Sequence, residues 1–285
     1  MKKIKKLVIP VAGMGTRFLP VTKSIPKEML PIVDIPTVEL LLKEAADAGI
    51  EEVLFITSRT KNSIIDHFDI DYELEDKLLK NNKINELNKI KDLNKMMKIF
   101  SIRQGKPLGS GHAVLLAKSW VGNENFAVMY GDDIIKGGCA LKELINVYEK
   151  YDSNVIGLQE VKHELTNKYG IVSLEDEESL KINALVEKPK IDEAPSNLAG
   201  LGRYILKHEI FQELEDIPKS KNGEYQLTDA MASLMKKQSF HGCKFSGTYY
   251  DIGSQLGYIQ ANIMYALDRE ELKEQLLEFI NQIKK

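Results

Sequence analysis

Cysteine is scarce, long apolar runs are missing, and no charge sign dominates; each absence removes a class of function. Cys139 and Cys243 lie far apart and form no CxxC pattern, which argues against a disulfide framework and suits a reducing cytosol. The histidines at 67, 112, 163, 208 and 241 give no HxxxH or Cys/His grouping, so zinc chemistry is not expected. No G-x-S-x-G elbow marks a serine hydrolase. No apolar stretch reaches the roughly 20 residues of a membrane helix. The N-terminal lysines lead directly into a strand-like run, without a signal-peptide core. A cytoplasmic protein with no membrane partner is expected. A formal net charge of -3 over 285 residues gives no general affinity for nucleic acid. Any anion site must therefore be a local cluster of cations.

What is present reads as one mixed α/β domain. With 43% hydrophobic and 28% charged residues, the chain has the composition of an ordinary globular protein with a substantial core. "KLVIPVAG" precedes a helical pattern at Thr37–Ala48 that Gly49 caps. "EEVLFIT", "KIFSIRQ" and "FAVMYGDD" each precede another helical pattern. Four strand–helix units predict a mostly parallel sheet with helices on both faces. "NVIGLQEV", "GIVSLE", "INALVEKP" and "LAGLGRYIL" then suit an antiparallel extension. No linker, repeat or low-complexity stretch divides residues 1–268. Residues 71–97 are polar, with Ile84, Leu87, Ile90, Leu93 and Met96 at every third position, and predict a solvated helical arm over the sheet. Residues 269–285 place Leu272, Leu276, Phe279, Ile280 and Ile283 on one helical face, to be buried on the same domain or on a partner chain.

Ligand sites in a parallel sheet form at the carboxyl ends of strands, so the loops there carry the chemistry. After the first strand, "AGMGTRFLPVTKSIPK" holds Gly13, Gly15, Arg17, Lys23 and Lys27 on a proline-stiffened loop. Glycines let backbone N–H groups approach a phosphate, and Arg17 adds a bidentate fork. A dinucleotide fingerprint fails, because Phe18 stands at its third glycine and Pro20 interrupts the helix. A P-loop fails for want of Gly-Lys-Ser/Thr. "RQGKPLGSGHAV" offers Gln104, whose amide carries donor and acceptor in one plane and suits a base edge. In "GDD", Asp132 or Asp133 could supply oxygens to Mg²⁺, and Asp251 in "YYDIGS" offers a similar carboxylate. "VEKP" sets Glu187 beside Lys188; neighbours in an extended segment point to opposite faces, so both serve one ligand only if the backbone twists.

These segments, together with "YGIV", "APSNLAGLGRY" and "GEYQLTDAM" in order, resemble bacterial UTP–glucose-1-phosphate uridylyltransferases of the sugar-1-phosphate nucleotidylyltransferase superfamily. The resemblance covers about residues 4–265. It implies a Rossmann-like nucleotidyltransferase domain in which the first loop binds the triphosphate and releases pyrophosphate. It implies that backbone at Ala12 and Gly13 contacts the uridine moiety, that Arg17 and Lys27 hold the nucleotide phosphates, and that Gln104 and Gly109 read uracil. Asp132 and Asp251 then match ligands of Mg²⁺. Glu187 matches the residue on the sugar hydroxyls and Lys188 the one on the sugar phosphate, while Gly170 and Asn197 line the sugar pocket. The implied partners are UTP, glucose 1-phosphate, UDP-glucose and pyrophosphate, with a homodimer or homotetramer as the assembly. Three positions depart from the family's pattern: Ser110 and Gly200 replace bulky aliphatic residues, and Gln255 a lysine. Gly200 predicts a wider or looser pocket wall.

Overall fold

A computed structural model describes residues 2–220 and 223–283. Nine strands form the central sheet: β1 Lys6–Pro10, β2 Glu52–Thr57, β3 Lys98–Arg103, β4 Phe126–Met129, β5 Asn154–Glu160, β6 Gly170–Asp176, β7 Lys181–Glu187, β8 Leu198–Leu206 and β9 Phe240–Lys244. Their spatial order is β3-β2-β1-β4-β8-β5-β9-β7-β6. The first four run parallel, as the strand–helix alternation predicts, with Leu7, Val8 and Ile9 wholly buried on both faces. The antiparallel extension is also present, since β8 opposes β4 and β5, and β7 opposes β9 and β6. Only β7 and β8 run against the common direction, so the sheet is mixed but mostly parallel in orientation.

The far end of the sheet returns on itself. Gly170 of β6 pairs with Gly200 of β8 while β6 also pairs with β7. β6 therefore starts beside the stretch of β8 that pairs with the carboxyl end of β5, and continues as the edge strand beside β7. Two apolar layers cover the sheet. One contains Leu41, Leu42 and Ala45 of the helix Thr37–Asp47, and the other Val114, Leu227 and Met231.

The 71–97 segment is a hairpin of two helices, Tyr72–Lys80 and Ile84–Asn94, rather than one solvated arm. The chain turns at Asn82, which adopts φ 54, a left-handed conformation that asparagine tolerates. Leu87 is buried, and Leu93 and Met96 pack against the core, so the stripe docks the second helix. The terminal helix Glu270–Ile283 buries no residue: Leu272, Leu276 and Ile280 are half-buried, while Phe279 and Ile283 are exposed. Packing on the same domain covers only part of that stripe; residues 284–285 of the predicted segment lie outside the described residues. No helix among the described residues is long and apolar enough to cross a membrane.

Candidate active site

The loop after β1 contains three short 3-10 turns, at Thr16–Phe18, Val21–Lys23 and Lys27–Met29. Prolines at 20, 26 and 31 keep it from becoming a regular helix. Gly15 initiates the first turn at φ 63, and a Cβ there would stand 3.2 Å from Thr22 and 3.4 Å from the Cβ of Lys27. The loop is pinned from outside, with Phe18 packed edge-on against Tyr258 and the Gln255 amide donating to the Arg17 carbonyl at 3.2 Å. Beneath it lies an ion pair invisible to sequence reading. Lys61 Nζ sits 2.6 Å from Glu28 Oε2, with both side chains almost wholly buried. Among the described residues Glu28 Oε1 has no hydrogen-bond partner, and the carboxylate packs against Gly131, just before Asp132. Burial raises the pKa of Glu28, against the lowering pull of Lys61 and Lys27.

This anchor sets Lys27 over the carboxyl end of β4, where its ammonium lies 2.5 Å from Asp132 Oδ2. Burial opposes charge on Lys27, but Asp132 and Glu28 outweigh it and leave its pKa raised. Burial likewise disfavours the Asp132 carboxylate, yet Lys27 holds its pKa below the ordinary value. Lys27 and Asp132 therefore stay charged.

A small hairpin delivers the second carboxylate. Residues Asp133–Lys136 pair antiparallel with Thr248–Asp251, placing Asp251 opposite Asp133. Gly253 marks the convergence, since a Cβ there would lie 2.6 Å from Asp132 Oδ2 and 3.0 Å from Asp251 Oδ1. Burial and the neighbouring Asp132 raise the pKa of Asp251, while Arg17 partly offsets them. Two converging carboxylates that repel each other fit a hard divalent cation, and Mg²⁺ accepts one or two such ligands beside substrate phosphates. Among the described residues no group of three or more His, Cys, Asp or Glu could hold a metal ion, so an ion bound by two carboxylates would complete its coordination with water and substrate oxygens. Asp133, the alternative ligand, lines the same cavity but has both carboxylate oxygens engaged within the protein. Its Oδ1 accepts from Tyr249 OH at 2.6 Å, and Oδ2 lies against Gly202. Burial and Asp132 push its pKa up to about 7.

These groups open onto a cavity of about 710 Å³, lined by Arg17, Asp132, Asp251, Gly170, Glu187 and Lys188. Arg17 is exposed, with Nη1 3.4 Å from the Gly253 carbonyl. Glu187 and Lys188 reach the same cavity because Lys188 itself takes φ 44, supplying the twist the sequence required. Their side chains meet at 3.2 Å. Tyr130 and Thr228 complete the wall; "GEYQLTDAM" contains Thr228, but periodicity gave it no role.

Other predicted residues fall outside this lining. Asn197 is exposed, and its Oδ1 pairs with His163 Nδ1 at 3.0 Å instead of reaching the cavity. Ala12 and Gly13 continue from β1, with nothing within 4 Å of a Cβ added at Gly13. Gln104 and Gly109 form a separate pair beyond Ser110, joined by Gln104 Nε2 donating to the Gly109 carbonyl at 3.2 Å. Lys23 is exposed and takes no part in the cluster. The wall at Gly200 is tight: a Cβ there would stand 3.1 Å from Ile156 and 3.6 Å from the Gly170 carbonyl, so the expected widening is small. Ser110 presents a hydroxyl that accepts from the Leu227 N–H at 3.1 Å.

Comparison with characterised proteins agrees with this geometry. Residues 6–267 match the nucleotidyl transferase family model. The chain is 45% identical over 286 residues to a UTP–glucose-1-phosphate uridylyltransferase of Staphylococcus epidermidis, covering 99% of each chain. It superimposes on a UTP-bound UGPase from Acinetobacter baumannii with a TM-score of 0.90 and 41% identity, covering 97% of this chain and 98% of that one. A UDP-glucose pyrophosphorylase complexed with UDP-glucose matches at a TM-score of 0.85 and 40% identity, covering 93% and 100%. The strand order, the cation-bearing first loop and these matches along the whole chain agree: the protein belongs to the UTP–glucose-1-phosphate uridylyltransferase family of nucleotidyl transferases.

Proposed function

We propose that the protein transfers UMP from UTP to glucose 1-phosphate, giving UDP-glucose and pyrophosphate, in a Mg²⁺-dependent reaction. The observation that carries this reading is the arrangement across one cavity. Asp132, with Lys27 bonded to it from behind the lining, shares the cavity with Asp251, Arg17 and the Glu187–Lys188 pair. One side suits a triphosphate and the other a sugar phosphate. The names of relatives at about 45% identity support the same substrates.

In this reaction a phosphate oxygen of glucose 1-phosphate attacks the α-phosphorus of UTP in line. One P–O bond forms there as the α–β bridging P–O bond breaks, and its electron pair leaves with pyrophosphate. No covalent enzyme intermediate is needed, so positioning and charge neutralisation carry the catalysis. Two unit charges 4 Å apart interact by roughly 4 kcal/mol at an effective dielectric near 20, so two polyanions must be brought together by several cations. Arg17 and Lys27 hold the nucleotide phosphates, and Lys188 the sugar phosphate. Glu187 accepts from sugar hydroxyls beside Gly170. Mg²⁺ held by Asp132 and Asp251 would add Lewis-acid neutralisation of phosphate charge. Lys27, held by its bond to Asp132, keeps its remaining N–H donors for phosphate oxygens. The half-covered terminal helix fits packing against a second copy of the chain, as homodimer or homotetramer.

A pyrophosphate-release assay with UTP, Mg²⁺ and a panel of hexose 1-phosphates tests the proposal. Turnover greatest with glucose 1-phosphate is expected. Binding of UTP without pyrophosphate release would mark the protein as a sugar-nucleotide sensor instead.

A further inference from the structure

The Gln104 side chain is held in one orientation by the Gly109 carbonyl, whose role is fixed, with a His112 ring nitrogen beside it. Its Nε2 lies 3.2 Å from the Gly109 carbonyl and 2.9 Å from His112 Nδ1. A carbonyl only accepts, so the atom facing it must be the NH₂ and not the amide oxygen. That carbonyl cannot move aside. Leu108 and Gly111 are tied to Tyr225 by two 2.8 Å backbone bonds. Gly109 has φ 102, and a Cβ there would stand 2.5 Å from the Tyr225 carbonyl. With one N–H on Gly109, the second falls on His112, whose Nδ1 must then be an unprotonated acceptor. Burial pushes the pKa of His112 down, which favours that neutral form. Both donors of Gln104 are thus consumed inside the protein. Among the described residues no donor reaches Oε1, the atom left for a ligand.

We infer that His112 is a positioning residue for base selection, locking the Gln104 amide so that its acceptor oxygen meets the N3–H donor of uracil. Cytosine presents an acceptor at N3, so two lone pairs would face each other. The inference rests on the reading of Gln104 as the base-contacting residue and deepens it: selection arises from which amide atom is free.

The test measures kcat/KM with UTP, CTP and N3-methyl-UTP for the wild type, Gln104→Ala, His112→Ala, His112→Leu and His112→Asn, with Tm as a check on folding. The wild type should reject both CTP and N3-methyl-UTP. Losing one of two orienting hydrogen bonds should lower the UTP:CTP ratio about tenfold in His112→Ala and His112→Leu. His112→Asn, which places an acceptor oxygen near the Nδ1 position, should recover most of it. An unchanged ratio in the folded Ala or Leu variant, or an Asn variant no better than Ala, overturns the role of His112. If Gln104→Ala also leaves the ratio unchanged, the base-contact reading itself has failed. A ratio that collapses in Gln104→Ala alone removes only the positioning role.

Discussion

The two sides of the cavity are built differently. On the nucleotide side, Lys27 and Asp132 are 20% and 31% exposed and already paired, above a fully buried Lys61–Glu28 anchor. On the sugar side, the Lys188 side chain is 58% exposed and, among the described residues, pairs with its neighbour Glu187. Charges fixed in a partly desolvated setting act strongly on a developing transition state, because little reorganisation remains when the substrate arrives. An exposed ammonium is screened by water and contributes less. The nucleotide side should therefore govern turnover, and the sugar side affinity and selectivity.

Removing the preorganised cation is the strongest way to break that contrast. Lys27→Ala should lower kcat by about a thousandfold with the fold retained, at the upper end of what one charge-stabilising group contributes. A near-normal kcat/KM would remove Lys27 from the catalytic set. Asp132→Asn keeps the shape but loses the charge. Its kcat should fall by about a hundredfold, with only partial recovery at high Mg²⁺. Full activity at ordinary Mg²⁺ would shift the metal role to Asp133 or another group.

The loops behind these predictions were legible because ligand chemistry in such a sheet gathers at strand ends, where glycines, cations and carboxylates stand out from apolar runs. Arg17, Lys27, Asp132, Asp251, Glu187 and Lys188 meet as that rule suggests. The Lys61–Glu28 pair was not legible. Thirty-odd residues separate its partners, and neither lies in a pattern that periodicity can detect. Asp132 and Asp133 differ only once the chain is folded, when Tyr249 occupies Asp133 and the Asp132 and Asp251 side chains approach each other around Gly253. Asn197 stands apart from the lining because its side chain pairs with His163, a contact that no sequence pattern announces.

Smaller effects sharpen the sugar side of the contrast. Glu187→Gln should raise the KM for glucose 1-phosphate about tenfold while moving the KM for UTP little, as expected when one charge-assisted hydrogen bond is weakened. A larger effect on UTP would place Glu187 on the wrong ligand. The least effect on chemistry is expected from truncation after Asp268, which removes the helix with exposed Phe279 and Ile283 together with the Arg269–Asp34 ion pair. Light scattering should show loss of the oligomer with kcat nearly unchanged. A truncated chain of unaltered size in solution would assign the stripe to packing within one chain.

The central claim is that the half-buried Lys27–Asp132 pair on the nucleotide side sets the rate while the exposed Lys188 on the sugar side sets affinity. The most direct measurement is single-turnover UMP transfer at saturating UTP, Mg²⁺ and glucose 1-phosphate, comparing Lys27→Ala with Lys188→Ala. At saturation the account predicts a rate lowered by about a thousandfold for Lys27→Ala and by less than about tenfold for Lys188→Ala. Equal losses in the two variants, or the larger loss at Lys188, would contradict it.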